Sequence, residues 1–527
     1  MSAFPIDAAG SGPAFSTSVR RLARALIGGA PGSSDPEYRA WLALRSPTRA
    51  ELAAQRARAT RLEWQPLFDV LVRRRPGDAL DLERTRRALS EQTWTRFTAH
   101  EVTAGDDLAG VVRRAKGDLA LVVDAGDALA PHALFMIAEA ADPETDLVYA
   151  DEDRLVGGGR ASPFFKSGWS PEELRSHPYV GCGAIIRRSL LATALDGAAP
   201  VEPVHALWLR LMPSLRRVRH VPDVLVHRRA DAPVEGRVAE HAATPAARVA
   251  VVVPTRDQAA LLDACVSSLE GHSNVAEIEL IVVDNASTTE DARALLRGLA
   301  QRPRCRVMSW NRPFNWSAVN NAAVGASSAE YLLFLNNDVE AKHPGWLDAM
   351  VALASRPEIG LVGAQLLYPD GALQHYGVVI GMTGFAGHLL QGCRPEATAR
   401  CGPADVDRNC SSVTGACMLV RRDVFERLGG FDERFVLCGS DVALGLRALA
   451  LGLRNVVTPR ARLVHHEART RGAAVPASDY RVSLEVYEPW LRAGDPYYNP
   501  NLSLRDTRAR MRLGREDMLA VARGYAR

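Results

Sequence analysis

The feature that most constrains the fold is an internal repeat that runs through most of the chain. The stretch LVVDAGDALAPHAL in the first half corresponds to LFLNNDVEAKHPGWL in the second, with the same order of apolar strand, polar tip, proline and helix. GCGAIIRRSLL likewise corresponds to TGACMLVRRDVF, and VPDVLVHRR corresponds to TPRARLVHHE, where each strand runs into a histidine. Three matches in one order and at similar spacing predict two related domains in tandem.

Short apolar strands alternate with helical patterns in both halves, which predicts α/β architecture with a mainly parallel sheet in each domain. At 527 residues the chain is also too long for one compact core. A Pro- and Ala-rich stretch, RADAPVEGRVAEHAATPAARVA, separates the two series. We therefore expect a helical N-terminal extension over 1–60, a first domain over 61–243, a second domain over 244–480 and a C-terminal helical tail over 481–527.

Composition excludes several classes of protein. A net charge of +3 is too small for this length to indicate a nucleic-acid partner. The eight cysteines form no CxxC pair and no zinc spacing, which favours reduced, buried thiols. No apolar run approaches the roughly 20 residues that span a bilayer, and the N-terminus has no signal pattern. We expect a cytoplasmic protein whose contact with a membrane is at most peripheral.

Polar residues follow three predicted strands of the second half. These tips contain Pro254, Thr255, Asp257, Asp284, Asn285, Asn336, Asn337 and Asp338. The carboxyl ends of parallel strands face one side of a sheet, and ligands bind in the crevice there. Any one tip is also explained as a helix cap or a turn. All three together predict a single binding site.

The chemistry of that site follows from what the tips contain and lack. There is no GxxxxGK[ST] loop and no GxGxxG after a strand, so a diphosphate ligand would need a cation to offset its charge. Asp338 is the carboxylate that suits a hard divalent metal, with substrate phosphates in other positions. Asn336 and Asn337 can bond a ribose or a phosphate without adding repulsive charge.

A set of longer stretches in the second half carries a family resemblance. They read VVVPTRDQ, LIVVDNAST, RPFNWSAVNNAA, LLFLNNDVE, VGAQLLYPDGALQHYGVVIG, GGFDERF, SDVALGLRALALGLRN and LVHHEARTRG. In this order the second half resembles a family 2 glycosyltransferase with the GT-A fold, over roughly residues 248–472, and DPYYNPNLSL extends the likeness to the tail. The tandem arrangement resembles bacterial proteins that build O-antigen, capsule or other surface polysaccharides.

The resemblance implies a nucleotide-sugar site and a metal site at the strand ends. The nucleotide-sugar residues would be Pro254, Thr255, Asp257, Asp284, Asn285, Asn336 and Asn337. NND occupies the place of the family's DxD signature, so that Asn336 would face the ribose and Asp338 the metal. His465 matches the histidine that completes the metal shell, and a histidine ligand mildly favours Mn²⁺ over Mg²⁺. The alternative for His465 is a strand-end histidine bonded to backbone.

Asp441 matches the general base of the family. It would take the proton of an acceptor hydroxyl as that oxygen attacks the anomeric carbon, in a single displacement that inverts the configuration. Around this base the chain departs from the family pattern, because Ser440 replaces an acidic or amide residue and Ala443 replaces a second Asp. These departures allow altered acceptor binding or weakened activity.

The first half resembles a worn copy of the same family. Its first strand ends in Arg73, Arg74 and Arg75, and Gly126 stands where the second half has the metal carboxylate. Glycine has no side chain to hold a cation, so we expect no metal-dependent transfer here. The acidic run 151–153 favours a solvated loop over a further metal site. We expect the first domain to be a structural or acceptor-guiding partner.

The leading prediction is therefore a metal-dependent, inverting glycosyltransferase. It would move a sugar from a nucleotide-sugar to a hydroxyl of a glycan or lipid-linked acceptor, in contact with the inner membrane face or an assembly complex. The alternative is a catalytically silent scaffold of a polysaccharide assembly complex. A sugar nucleotidyltransferase is disfavoured because VVVPTRDQAALLD lacks the glycines of its loop.

Overall fold

The computed structural model describes residues 33–74, 77–103, 106–196, 204–231, 247–273, 277–466 and 475–527. The predicted helix SVRRLARALIGG and the boundary near residue 243 lie outside them. The helices of the first half are α1 (Pro36–Arg45), α2 (Arg49–Ala59), α3 (Ala79–Ser90), α4 (Leu108–Arg114), α5 (Ala133–Ala140), α6 (Pro171–Ser176), α7 (Arg188–Leu195) and α8 (Val204–Leu211). Those of the second half are α9 (Ala259–His272), α10 (Glu290–Leu299), α11 (Trp316–Val324), α12 (Trp346–Ala354), α13 (Arg422–Arg427), α14 (Ser440–Ala450), α15 (Ala477–Ala493) and α16 (Met518–Tyr525).

The strands form one large sheet in each half. The first-half strands are β1 (Phe68–Arg74), β2 (Phe97–Thr103), β3 (Leu119–Asp124), β4 (Ala128–Leu129), β5 (Leu147–Val156), β6 (Gly159–Phe164), β7 (Ile185–Arg187) and β8 (Val218–Arg229). The second-half strands are β9 (Arg248–Thr255), β10 (Glu277–Asp284), β11 (Cys305–Ser309), β12 (Tyr331–Leu335), β13 (Val339–Ala341), β14 (Ile359–Leu367), β15 (Leu373–His375), β16 (Val378–Ile380), β17 (Ala386–His388), β18 (Thr398–Ala399), β19 (Gly402–Pro403), β20 (Arg408–Cys410), β21 (Cys417–Arg421) and β22 (Arg454–His465).

The two sheets share one topology. The first has the order β2-β1-β3-β7-β5-β8-β4, and the second has β10-β9-β12-β21-β14-β22-β13, with β11 added at its edge. The matching pairs also agree in direction: β1 and β9 each pair in parallel with two neighbours, while β7 and β21 enter antiparallel. The predicted fold class, two tandem α/β domains, is confirmed, and antiparallel strands occupy the middle of both sheets.

The second sheet is covered on both faces, which is why its central strands read as unbroken apolar runs. Along β9, Val249, Val251 and Val253 pack on one face against α9 and α12. Ala250 and Val252 pack on the other face against α11 and α13. Helices on both faces leave the carboxyl ends of β9, β10 and β12 as the open edge of the domain.

Helix α1 and the first domain pack directly on the second domain. Tyr38, Trp41 and Leu42 of α1 share a core cluster with residues of the second sheet, together with Phe165. Helix α2 begins after Thr48 with a reciprocal capping box, as its sequence predicts. Within the described ranges, no helix combines the length and apolarity that crossing a bilayer requires.

Candidate active site

The three predicted strand tips meet at one edge of the second sheet. In the parallel pairing of β9 with β10, Thr255 lies opposite Asp284. Asn337, beyond the end of β12, donates from Nδ2 to Thr255 Oγ1 at 3.0 Å. The amide of Asn285 donates to the carbonyl of Thr255 at 2.8 Å, and Pro254 precedes it on the same strand. The strand register therefore brings these five predicted residues into one cluster.

Asp257 fastens two loops of this edge together. Its Oδ1 accepts hydrogen bonds from the amides of Thr288 (2.6 Å) and Thr289 (2.9 Å), and its own amide donates to Ser287 Oγ at 2.9 Å. These amide donors hold the pKa of the Asp257 carboxyl below its ordinary value. Asp284 Oδ1 in turn accepts from the amide of Ser287 at 2.9 Å. The carboxylate of Asp257 is thus engaged in shaping the loops.

The same loops carry left-handed backbone at residues other than glycine. The φ angles are 55° at Asp257, 53° at Gln258 and 54° at Ala286. Such conformations cost free energy and persist where the surrounding structure holds them, which is common at ligand sites. Here the holding contacts are the hydrogen bonds to Asp257 and Asp284.

Asp338 and His465 form a close buried pair. Strand β13 runs antiparallel to β22, with Val339 opposite His465, and the amide of His466 donates to the carbonyl of Asp338 at 2.9 Å. This register places His465 Nε2 3.2 Å from Asp338 Oδ1, with both side chains about 6% exposed. His465 Nδ1 is buried without a hydrogen-bond partner among the described residues, so the alternative of a backbone-bonded ring is not observed there.

The pair fits two adjacent positions around a divalent cation. Two ligands about 2.1 Å from one ion, at right angles to each other, lie about 3 Å apart. The observed separation of 3.2 Å is close to that value. In the part of the chain that the structure describes, no group of three or more His, Cys, Asp or Glu side chains could hold a metal.

Asp441 lies at the start of α14 and is linked to the strand tips through backbone. Its Oδ2 accepts from the amide of Gly415 at 2.9 Å, and its carbonyl accepts from Ser412 Oγ at 2.8 Å. The residue after Gly415 is Ala416, and its carbonyl accepts a hydrogen bond from the amide of Asn336 at 3.0 Å. One short segment before β21 therefore joins the carboxylate to the end of β12, so every predicted site residue belongs to this edge.

Comparisons with known proteins agree with this arrangement. Residues 250–429 match the family model described as Glycosyl transferase family 2. The chain therefore carries a family 2 glycosyltransferase domain. The family resemblance predicted from the longer stretches of the second half is confirmed, although Asp441 and His465 lie beyond the matched residues.

Two curated relatives match different fractions of this chain. The chain is 38% identical to the O-antigen biosynthesis protein RfbC of Myxococcus xanthus, over 91% of this chain and 44% of that protein. It is 29% identical to N-acetylglucosaminyl-diphospho-decaprenol L-rhamnosyltransferase of Mycobacterium tuberculosis, over 41% of this chain and 78% of that protein. The chain spans about half the length of RfbC (44%) and of a further relative (49%), the uncharacterized protein y4gI of Sinorhizobium fredii, to which it is 35% identical over 74% of this chain.

Two solved structures resemble this chain at low sequence identity and low TM-score. One is the mannosyltransferase PcManGT from Pyrobaculum calidifontis in complex with GDP-Man and Mn²⁺, at 17% identity and a TM-score of 0.37, covering 54% of this chain and 74% of that one. Another is GalNAc-T7 with UDP, GalNAc and Mn²⁺, at 13% identity and a TM-score of 0.40, covering 52% of each chain.

The substituted position in the family 2 motif faces the interior of the protein. Ala443 is 2% exposed and packs in an apolar cluster with Val378, Phe435 and Tyr487. An aspartate there would meet apolar side chains in this chain. Ala443 thus contributes packing beneath the site, while Asp441, two residues earlier, stays half-buried at its edge.

Two histidines near the site were not singled out from the sequence. His375 and His388 approach with their Nδ1 atoms 2.8 Å apart, and His375 Nε2 accepts from the amide of Thr414 at 3.4 Å. Burial, with the nearby His388 and His465, lowers the pKa of His375 well below its ordinary value. The QHYG stretch inside the family resemblance was the signal that could have identified His375.

In the first domain, arginines fill the edge that corresponds to the family 2 site. Arg73 Nε lies 2.7 Å from Asp124 Oδ1, and Arg228 Nε lies 2.9 Å from Asp127 Oδ2. In the first domain β4 pairs Ala128 with His227, so the next residue of β8, Arg228, lies opposite Asp127. In the second domain the corresponding pair is Val339 and His465. The register therefore corrects the repeat: Arg228, not His227, is the counterpart of His465.

The prediction that 151–153 forms a solvated loop was wrong. These residues belong to β5, and Asp151 and Asp153 are at most 1% exposed. Asp153 Oδ1 lies 2.7 Å from His227 Nδ1, and Asp151 accepts from Asn499 Nδ2 of the C-terminal segment at 2.8 Å. The cluster is paired with cationic and amide groups, many of them distant in sequence.

Proposed function

We propose that this chain transfers a sugar from a nucleotide-sugar to a hydroxyl of a glycan or lipid-linked acceptor, with inversion, in the synthesis of a bacterial surface polysaccharide. The observation that carries the proposal is the single edge on which the strand tips, the pair Asp338–His465 and the carboxylate Asp441 meet. The names of the relatives in Myxococcus and Mycobacterium support the substrate class. The proposal covers the second domain as the active one.

The donor end of the site would use the strand tips. Thr255, Asp284 and Asn285, which are neighbours at the ends of β9 and β10, would bond the base and the ribose. Asn336 and Asn337 would offer neutral amides to a ribose or a phosphate. Asp257 contributes through the loops that it fastens, because its carboxylate is already engaged with backbone amides.

Asp338 and His465 would hold a divalent metal, Mn²⁺ or Mg²⁺. Bound there, the metal would neutralise charge on the departing nucleoside diphosphate. The two side chains come from paired strands and are buried, so their orientation is set by the sheet. The mixed oxygen and nitrogen pair favours Mn²⁺ mildly over Mg²⁺.

Asp441 would be the general base. An acceptor hydroxyl attacks the anomeric carbon as the bond to the diphosphate oxygen breaks, and the hydroxyl proton passes to the carboxylate. The amide of Gly415, 2.9 Å from Oδ2, orients that carboxylate without protonating it. One base on the protein suffices, unlike the paired carboxylates of glycosidases.

The test is a thermal titration of the purified chain with UDP, GDP and dTDP, each with and without Mn²⁺. A ligand at a hundredfold excess over its Kd stabilises the folded state by about 2.7 kcal/mol. We expect one nucleotide to raise the Tm in a metal-dependent manner, and Asp338→Ala to abolish the shift. Asp423→Asn is the matched control, because Asp423 follows β21 at the opposite end of the sheet and is exposed. No shift with any nucleotide would favour the silent scaffold.

A further inference from the structure

A buried carboxylate outside the proposed site holds the segment that leads to the base. Asp479, in the first turn of α15, is fully buried. Its Oδ1 accepts from the amide of Val436 at 3.0 Å, and its Oδ2 accepts from the amides of Leu437 (2.8 Å) and Cys438 (3.1 Å). Hydrogen bonds to a charged acceptor are about twice as strong as neutral ones. Three consecutive amides are thus tied to one side chain.

We call residues 431–439 the base loop. It contains no strand or α-helix, and it ends two residues before Asp441. Residues at the start of α11 donate hydrogen bonds to carbonyls of the base loop. The amide of Trp316 donates to the carbonyl of Val436 at 2.8 Å, and Ser317 Oγ donates to the carbonyl of Phe435 at 2.9 Å. Irregular backbone beside a solvent edge is therefore held by polar groups from two helices.

Helix α15 also holds the joint between the base loop and α14. The hydroxyl of Tyr487, two turns after Asp479, donates to the carbonyl of Gly439. Gly439 is the N-cap of α14 and has φ = 104°, a conformation that favours glycine. The ring of Tyr487 stacks on that of Phe435 with centroids 6.3 Å apart. One helix therefore contacts the base loop at its middle and at its end.

We propose that Asp479 is a positioning residue for the general base, and that α15 is an integral part of the active site. The inference rests on the proposed role of Asp441. Both Asp479 and the base loop lie outside residues 250–429, so the family match assigns neither. The carboxylate fixes the backbone before α14 and thereby fixes where Asp441 stands relative to the end of β12. The side chains of Glu433 and Cys438 on this loop are exposed.

The first test measures hydrogen exchange in the full chain, with no ligand. Losing charge-assisted bonds to Asp479 should raise exchange of the amides at 436–438 about tenfold in Asp479→Asn. Exchange at β9 and β12 should stay unchanged. Tyr487→Phe, which removes the bond to Gly439, should raise exchange at the start of α14. Arg492→Gln, an exposed change on the same helix, is the control. Unchanged exchange at 436–438 in Asp479→Asn overturns the proposal.

The second test separates positioning from folding. Hydrolysis of UDP-glucose, GDP-mannose and dTDP-rhamnose is measured in Asp479→Asn, Asp441→Asn and the double variant, with active protein counted by nucleotide binding. We expect Asp479→Asn to lower kcat at least tenfold with KM unchanged, and the double variant to match Asp441→Asn. Additive losses would overturn the proposal. If the native chain neither binds nor hydrolyses any nucleotide-sugar, the proposed function fails, and the exchange experiment still decides whether Asp479 holds the base loop.

Discussion

Asp441, the proposed general base, is held in one position by neighbouring backbone. It is half-buried, its Oδ2 accepts from the amide of Gly415, and its helix begins at a glycine in a left-handed conformation. Replacing the carboxylate with an amide keeps the shape and removes the proton acceptor. We expect Asp441→Asn to lower turnover by about 10² to 10⁴-fold, the usual contribution of a positioned base. Nucleotide affinity, measured by calorimetry, should not change, and a loss of affinity would contradict the assignment.

Asp257 gives a pH-dependent prediction at the same scale. Amides of Thr288 and Thr289 lower the pKa of its carboxyl in the folded chain, so its stabilising effect is present above its unfolded pKa. That effect is lost as the pH falls through the lowered folded value. We expect the native chain to have a larger free energy of unfolding than Asp257→Asn at neutral pH, and the two free energies to converge in acid. Urea unfolding at several pH values tests this, and a difference that persists after protonation would count against it.

At the scale of elements, the short helix α6 joins the two domains. Both oxygens of Glu172, which is fully buried, lie 3.0 Å from the guanidinium of Arg454 at the start of β22. Glu173 lies 3.2 Å from Arg408 on β20. Glu172 thus contacts the strand whose far end carries His465, and Glu173 contacts β20, which pairs with that strand. Helix α6 is therefore part of the support of the site.

Replacing Glu172 removes two hydrogen bonds to the guanidinium of Arg454 and leaves Glu358, 3.2 Å away, as the acidic partner of that arginine. We expect Glu172→Ala to destabilise the chain by about 1 to 3 kcal/mol. The double variant Glu172→Met/Arg454→Met should recover most of that loss, because it removes both charges. Chemical denaturation of the three proteins measures this, and a double variant that is less stable than the single one would contradict the account.

The strand tips were predictable because apolar runs that end in polar residues are a local signal. Parallel strands then bring such tips together wherever they occur along the chain. The acidic run 151–153 was misjudged because its burial depends on residues far away, such as Asn499, which lies 348 positions from Asp151. Asp479 was missed for the same reason: a single aspartate in a helical pattern gives no sign that it faces a distant loop.

Considered as a whole, the molecule is a family 2 domain packed against a second domain of the same sheet topology. The first domain keeps the sheet order of the second, and arginines pair with the acidic groups at its own edge. Its residues share a core with the second domain and with α1. We expect both domains to unfold in one calorimetric transition, because neither can lose its structure without exposing that shared core. Two well-separated transitions would show that they fold independently.

We expect the chain to have one nucleotide site, which lies in the second domain. We expect no nucleotide site in the first domain, because arginines pair with the acidic residues at the corresponding edge. Calorimetric titration of the full chain, with Mn²⁺ and the nucleotide that raises its Tm, measures the number of sites directly. We expect one nucleotide bound per native chain, and no bound nucleotide in Asp338→Ala. Two nucleotides per chain, or one that remains in Asp338→Ala, would contradict it.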